Sequence, residues 1–346
     1  MIGGCLGPVQ AGLNIDTAVC ALSAVASEPL GAAAVVVAAF LRGALASPWL
    51  FAYLALFVGR AALAWGRRQQ QGRARTVDWS QQVVVLTGGA HGIGLELLQR
   101  LSAAGARVAV LDIRPALDRV PAGARYYRCD LTDAAQVSAV LDQVGADLGT
   151  ATMLVNNAGT VCPHLLAEQS VQDVERVVRT NLVAPMLLTR HLLPGMLGCA
   201  HAHIVFVSSA LAFAGVPQLA TYTASKAGLA LFYESLRLEL RYHHRAPHVK
   251  TTALFPSKVD TGLFSGIRMR HWLSPRLSAA SVADAVFSAL ERSREGEVYM
   301  PAYVNFMPLY MFAPRAARDL VGRIAGSIDS MRTFRGHGGG DSKDRS

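Results

Sequence analysis

From residue 80 onward the chain alternates short apolar runs with longer stretches of helical periodicity. Residues 82–86, 107–111, 126–130, 153–155, 204–207 and 251–255 are runs rich in Val, Ile, Leu, Ala, Thr and Tyr. Most carry no polar alternation, the pattern of strands buried on both faces of a parallel sheet. Between them, residues 95–103, 171–197 and 222–242 space their apolar positions for amphipathic helices. Strand and helix taking turns predict an α/β fold with a doubly wound parallel sheet over residues 80–300.

The front of the chain has a different pattern. Residues 1–41 contain no Lys or Arg, and their only acids are Asp16 and Glu28. Residues 29–41 are an apolar run of 13, and 44–58 a second that continues past Arg60 to Trp65. Neither alone reaches the roughly 20 residues of a comfortable span. Together, residues 29–65 predict a membrane anchor, either one span with Arg60 reaching the interface or a hairpin turning near Pro48. A cleaved leader fits poorly, because positive charge is missing at its start. Arg67, Arg68, Arg73 and Arg75 then form a basic linker, which orients the downstream domain toward the cytosol. The expected divisions are an anchor over 1–66, a linker over 67–79, the α/β domain over 80–300, an extension over 301–336 and a polar, disordered tail over 337–346.

Composition narrows the partners. The 346 residues are 52% hydrophobic and 16% charged, with a formal net charge of +9. Basic residues do not interleave with aromatics in one block, so a membrane surface or a cofactor phosphate is expected and nucleic acid is not. The five cysteines lack CxxC or CxxH spacing, so neither a disulfide framework nor a metal site is expected.

Candidate chemistry begins at the first strand–helix junction. Thr87, Gly88, His91, Gly92, Ile93 and Gly94 form a turn whose glycines permit a tight bend, close backbone approach to a pyrophosphate and close helix packing. Free N–H groups at the start of the next helix complete an anion site, which makes this a Rossmann-type arrangement. Asp112 ends the second run, 24 residues after Gly88, near the ~20-residue offset at which an acid bonds the adenosine ribose. A carboxylate there repels a 2′-phosphate and favours NAD, while Arg114 keeps NADP open. Asp130, with Leu131 beside it, and the turn Asn156, Asn157, Ala158 and Gly159 fall at further strand ends, where such a sheet places its ligand.

Tyr222 and Lys226, four apart on a predicted helix, share one face. A phenol of pKa about 10 is a poor acid or base at neutral pH, and a neighbouring ammonium favours its ionised form. The chain contains only four lysines, so an ammonium here stands out. Ser209, at the end of the 204–207 strand, can hold a substrate oxygen. Asn181 sits in mid-helix, where asparagine needs a local hydrogen-bonding reason.

These motifs, together with Pro256, Val259 and Thr261, resemble in order and spacing the short-chain dehydrogenase/reductase family across about residues 80–300. The later segments 261–268 and 330–336 and the apolar front resemble its membrane-associated retinol/retinal and 17β-hydroxysteroid dehydrogenases. The resemblance implies Tyr222 as the acid/base on the substrate oxygen and Lys226 as the group that lowers its pKa and bonds the nicotinamide ribose. It implies Ser209 as the orienting hydroxyl and Asn181 as the holder of a relay water. Asp130 would bond the adenine, and Asn157, Ala158 and Gly159 would line the adenosine side. Ser257 departs from the pattern, since glycine usually comes after this proline. Its side chain either narrows the nicotinamide pocket or fixes the loop.

The function expected is hydride transfer between a nicotinamide cofactor and a hydrophobic lipid alcohol or carbonyl of retinoid, steroid or fatty-alcohol kind. The membrane would be endoplasmic reticulum or a lipid-droplet surface. Alternatives are an NADP-dependent ketoacyl or ketosphingoid reductase, which Asp112 disfavours, and a non-catalytic dinucleotide-binding scaffold, which the intact Ser209, Tyr222 and Lys226 disfavour. Residues 258–274 show no convincing regular element and, with Leu263, Phe264, Ile267, Met269, Trp272 and Leu273, are expected to form a lid over an apolar substrate. Leu320, Ile324, Ile328 and Met331 are expected on one helical face, serving a membrane surface, the substrate mouth or a homodimer contact.

Overall fold

A computed structural model of the chain describes residues 77–116, 119–263 and 276–333, with Gly59 besides. The chain divides into two compact units, Met1–Ala74 and Arg75–Ser346. The expected anchor over 29–65, the basic cluster at 67–75 and the tail beyond 333 lie outside the described residues. So does the expected lid, apart from its flanks at 258–263. Among the described residues no helix is long and apolar enough to cross a membrane.

The second unit begins with β1 (Val83–Thr87), every residue of which is buried. Next come α1 (Gly92–Ala103), β2 (Arg107–Asp112), β3 (Ala124–Arg128), α2 (Ala134–Leu148) and β4 (Met153–Asn156). After these stand α3 (Val171–Val178), α4 (Ala184–Leu197), β5 (Ala202–Val207), α5 (Ala220–Leu238) and β6 (Val249–Pro256). The chain continues through β7 (Val259–Asp260), β8 (Leu277–Ser278), α6 (Ala279–Glu291), β9 (Gly296–Met300), α7 (Met307–Tyr310) and α8 (Arg315–Ala325).

Seven strands form one sheet in the order β3-β2-β1-β4-β5-β6-β9, and each neighbouring pair runs parallel. Alternate residues along a strand enter opposite cores. Val83 and Val85 join one cluster with Ile204, Phe206 and Phe255. Val84 and Leu86 join the other with Val108, Val205 and Leu254. Both faces are therefore covered, which is why these runs show no polar alternation. The strand order reverses between β1 and β4, so their carboxyl ends open a crevice.

Local chemistry sets the helix limits. Asp133 caps α2 by accepting from Ala135 N at 2.9 Å and Gln136 N at 3.1 Å, satisfying N–H groups the helix leaves free. Gly149, at φ 86°, ends it. The expected continuous helix over 171–197 is interrupted by one π turn, Arg179–Val183, where Ala184 N bonds Arg179 O. A second π turn, Glu239–His243, ends α5.

Two expectations require correction. The 258–274 stretch, expected to lack regular structure, pairs Val259 and Asp260 with Leu277 and Ser278 in a short parallel ladder. The apolar face expected through Met331 is broken, because Gly326 takes a left-handed conformation at φ 71° and stops α8. Leu320 and Ile324 remain on the helix and exposed, whereas Met331 lies on a later 3-10 turn and is 2% exposed.

Phe206 is fully buried in β5 and meets Phe232 edge-on at 5.7 Å between ring centroids. Phe206→Ala is expected to lower stability by about 3–5 kcal/mol through lost burial and the cavity left behind. Urea unfolding monitored by circular dichroism checks it; a change below about 1 kcal/mol would contradict this core assignment.

Candidate active site

At the carboxyl end of β1 a side-chain knot joins the two lips of the crevice. The Thr87 hydroxyl donates to Val155 O at 3.2 Å and accepts from Asn157 N at 3.0 Å and Ala158 N at 3.1 Å. Asn157 Nδ2 returns bonds to Thr87 O at 3.0 Å and Gly88 O at 3.1 Å. Gly88 has φ 67° and Gly92 φ 55°, in the left-handed region. At Gly94 a Cβ would stand 2.0 Å from Gly88 O, so α1 approaches the turn closely enough to demand glycine. Thr87 and Gly94 thus shape the turn from behind. Gly88, His91, Gly92 and Ile93 line the cavity in front.

That cavity, about 660 Å³, runs along the strand ends. Asp112 lines it while its Oδ2 accepts from Ala90 N at 3.0 Å and its Oδ1 from Arg114 N at 3.2 Å. The carboxylate therefore braces the glycine turn as well as facing the site. Asp130 turns its Oδ1 to Thr132 N at 2.9 Å and Thr132 Oγ1 at 2.8 Å. Leu131, Asn157, Ala158 and Gly159 continue the wall, which Pro256, Val259 and Thr261 close opposite.

Ser209, Tyr222 and Lys226 meet at the far end of the same cavity. All three are nearly inaccessible, at 6%, 5% and 4% exposure. Ser209 caps a 3-10 turn by accepting from Leu211 N at 3.1 Å, and its hydroxyl bonds the Tyr222 phenol. Burial pushes the phenol up to about 12, against the lowering effect of that bond. Burial also pulls Lys226 down to about 8. Its Nζ donates to Val207 O at 2.9 Å and stands 5.9 Å from the Tyr222 ring centroid. Lowering of the phenol by the ammonium, expected from the i,i+4 spacing, is thus not what dominates here. Desolvation outweighs it, and the serine is the group that opposes desolvation.

Asn181 lies in the π turn, fully buried and behind the cavity wall. Its Oδ1 accepts from Thr160 N at 2.8 Å, and its Nδ2 donates to Thr160 O at 2.9 Å and Ser225 Oγ at 3.1 Å. The extra residue of a π turn re-aims this side chain, so Asn181 ties the loop after β4 to the helix carrying Tyr222 and Lys226. Sequence reasoning missed the polar edge that α3 adds through Asp173 and Arg176, and the following π turn through Arg179. It also missed the apolar cluster around Tyr222, formed by Cys162, Val177, Leu219 and Met331. The two acids and two arginines in 171–179 were the available signal for the first; the second needed tertiary structure. Among the described residues no three His, Cys, Asp or Glu gather as a metal site.

The family model for short chain dehydrogenases matches residues 82–271, more than half of the chain. The chain belongs to this family. It is an oxidoreductase that acts on CH–OH groups with a nicotinamide cofactor. Human 17-beta-hydroxysteroid dehydrogenase 13 is 28% identical over 252 residues, covering 70% of this chain and 83% of its own. Human retinol dehydrogenase 10 is 38% identical over 151 residues, 44% of each chain. A short-chain dehydrogenase/reductase from Burkholderia phymatum, solved in complex with NAD, is 25% identical with a TM-score of 0.60, covering 68% of this chain and 94% of its own.

Lys226 yields a stability test. Its pKa falls from 10.5 unfolded to about 8 folded, so between those values the unfolded chain binds more protons and stability rises with pH. The stability of the wild type relative to Lys226→Met is therefore expected to increase from about pH 8 to 10.5. Melting temperatures of both proteins across that range check it; a constant difference would contradict a desolvated Lys226 whose pKa is lowered.

Proposed function

We propose that this dehydrogenase interconverts a hydrophobic lipid alcohol and its carbonyl, prefers NAD(H) to NADP(H), and works at a membrane surface facing the cytosol. The observation that carries the reading is the convergence of Ser209, Tyr222 and Lys226 at one end of a cavity whose other end is the glycine turn. The residues present fit a dinucleotide. Gly88 and Gly92 leave room for close backbone approach, Asp112 faces the adenosine end, and the cavity spans the distance between them.

When bound, the nicotinamide supplies the hydride acceptor or donor. The chain's own residues handle the proton and the oxygen. Ser209 holds the substrate oxygen beside Tyr222. In the reductive direction the Tyr222 phenol gives its proton to the carbonyl oxygen and is left as phenolate; in the oxidative direction it acts as the phenolate and takes the hydroxyl proton. Lys226 keeps positive charge beside the phenol below about pH 8, which favours the phenolate as it forms. Asn181 keeps the 159–160 loop and α5 in register, so that Gly159 and Lys226 share the cavity wall.

An apolar substrate is supported by the names of the relatives, a steroid and a retinol dehydrogenase. Asp112 supports NAD, since a 2′-phosphate would meet its carboxylate. Membrane contact is supported by the apolar residues 29–65, the arginines at 67–75 and the surface of α8. On α8, Arg318, Gly322 and Ala325 turn inward while Leu320, Val321 and Ile324 are 58%, 50% and 45% exposed. A helix folded with its apolar face outward suits an interface with lipid, endoplasmic reticulum or lipid droplet.

Tyr222→Phe is expected to reduce turnover of retinoid, steroid or fatty alcohols by at least about 10³-fold, while NADH binding persists. Steady-state rates and nucleotide fluorescence check this, and full activity in the variant would sink the mechanism. Asp112→Ala is expected to shift the ratio of kcat/KM for NAD over NADP toward NADP by about tenfold or more. An unchanged ratio would remove Asp112 from cofactor selection.

A further inference from the structure

The chain crosses from β6 to β7 through only two residues, Ser257 and Lys258, while Pro256 and Val259 on either side face the cavity. This crossing is held from behind. Ser257 N donates to Met300 O at 2.7 Å, and the Ser257 and Tyr303 hydroxyls bond each other at 2.6 Å. Tyr303 lies in the 3-10 turn Ala302–Phe306, the first element after β9, and packs against the larger core. Beside it, Tyr299 stacks on Phe255 at 5.0 Å, and Phe213 meets Phe255 at 5.0 Å. Phe213 ends the turn that Ser209 caps.

The extension after β9 therefore grips the wall that ends β6 through Tyr303, while Phe255 and Tyr299 link that wall to the turn that carries Ser209. We propose that Ser257 and Tyr303 act as a positioning pair: their hydroxyl–hydroxyl bond sets the Pro256–Val259 wall against which the nicotinamide end of the cofactor rests. The glycine usual in this family at position 257 would keep the backbone bond to Met300 and lose the side-chain one. This chain has in its place an anchor that makes the wall depend on the C-terminal extension. The inference rests on the reading of the cavity as the nicotinamide site. It goes further by assigning to Ser257 and Tyr303, neither of which lines that cavity, control over how well the site fits its ligand.

The test is a double-mutant cycle on the full chain in detergent micelles, read by the Kd for NADH from nucleotide fluorescence and by Tm. Ser257→Ala and Tyr303→Phe are each expected to weaken NADH binding about fivefold, the size of one side-chain hydrogen bond. The double variant is expected to be weakened by the same fivefold, because both substitutions remove one bond. Ser257→Thr, which keeps the hydroxyl, is expected to bind within about twofold of the wild type. Three outcomes overturn the pair: single variants with lowered Tm and unchanged Kd, a double variant weakened about 25-fold as for independent sites, or no rescue by threonine. A wild type that binds no NADH would overturn the cofactor site itself; NADH binding with additive variants would overturn the positioning pair alone.

Discussion

The close approach of α1 to the turn after β1 is the constraint on which the site depends. With a hydrogen at Gly94 where any other residue would drive a Cβ into Gly88 O, the helix start comes down against the crevice. The free N–H groups and dipole of that helix then point at the cavity. Thr87 and Asn157 lock the opposite lip to the same turn through backbone and side-chain bonds. Asp112 adds a third brace from β2. Several residues that read as ligand contacts are thus also the scaffold that holds the contact surface in shape.

The other end of the cavity is built at an energetic cost. Lys226 is buried, and its Nζ meets a backbone carbonyl, which stabilises an ammonium less than a carboxylate would. Tyr222 is buried with a raised pKa. Both groups are held away from their preferred states, as acid/base sites commonly are. The parallel sheet offsets this cost, since its strands are buried on both faces and carry Ser209 and the 3-10 turn to a fixed place.

Much of this was legible in the sequence because parallel strands and glycine turns have local causes. The runs that became β1, β2, β4, β5 and β6 were continuous and apolar, so their limits were predicted within two residues. Gly88, Gly92 and Gly94 were readable because backbone geometry admits little else there. What stayed hidden depends on contacts distant along the chain. The π turn around Asn181 looks like ordinary helix in residue pattern. The Ser257–Tyr303 bond joins positions 46 apart. The pKa directions of Tyr222 and Lys226 came from burial, which spacing does not report. Periodicity extended the last helix to Met331 because it takes no account of a glycine that adopts positive φ.

The burial of Met331 has a consequence for the chemistry at Tyr222. This residue stands 109 positions after the tyrosine, yet shares its cluster, and it is held there by a single short turn beyond α8. Packed there, it excludes water from one side of the cluster, so part of the desolvation that pushes the phenol up comes from chain far along the sequence. The environment of the acid/base group is therefore completed by a residue outside the strands and helices that carry the rest of the site.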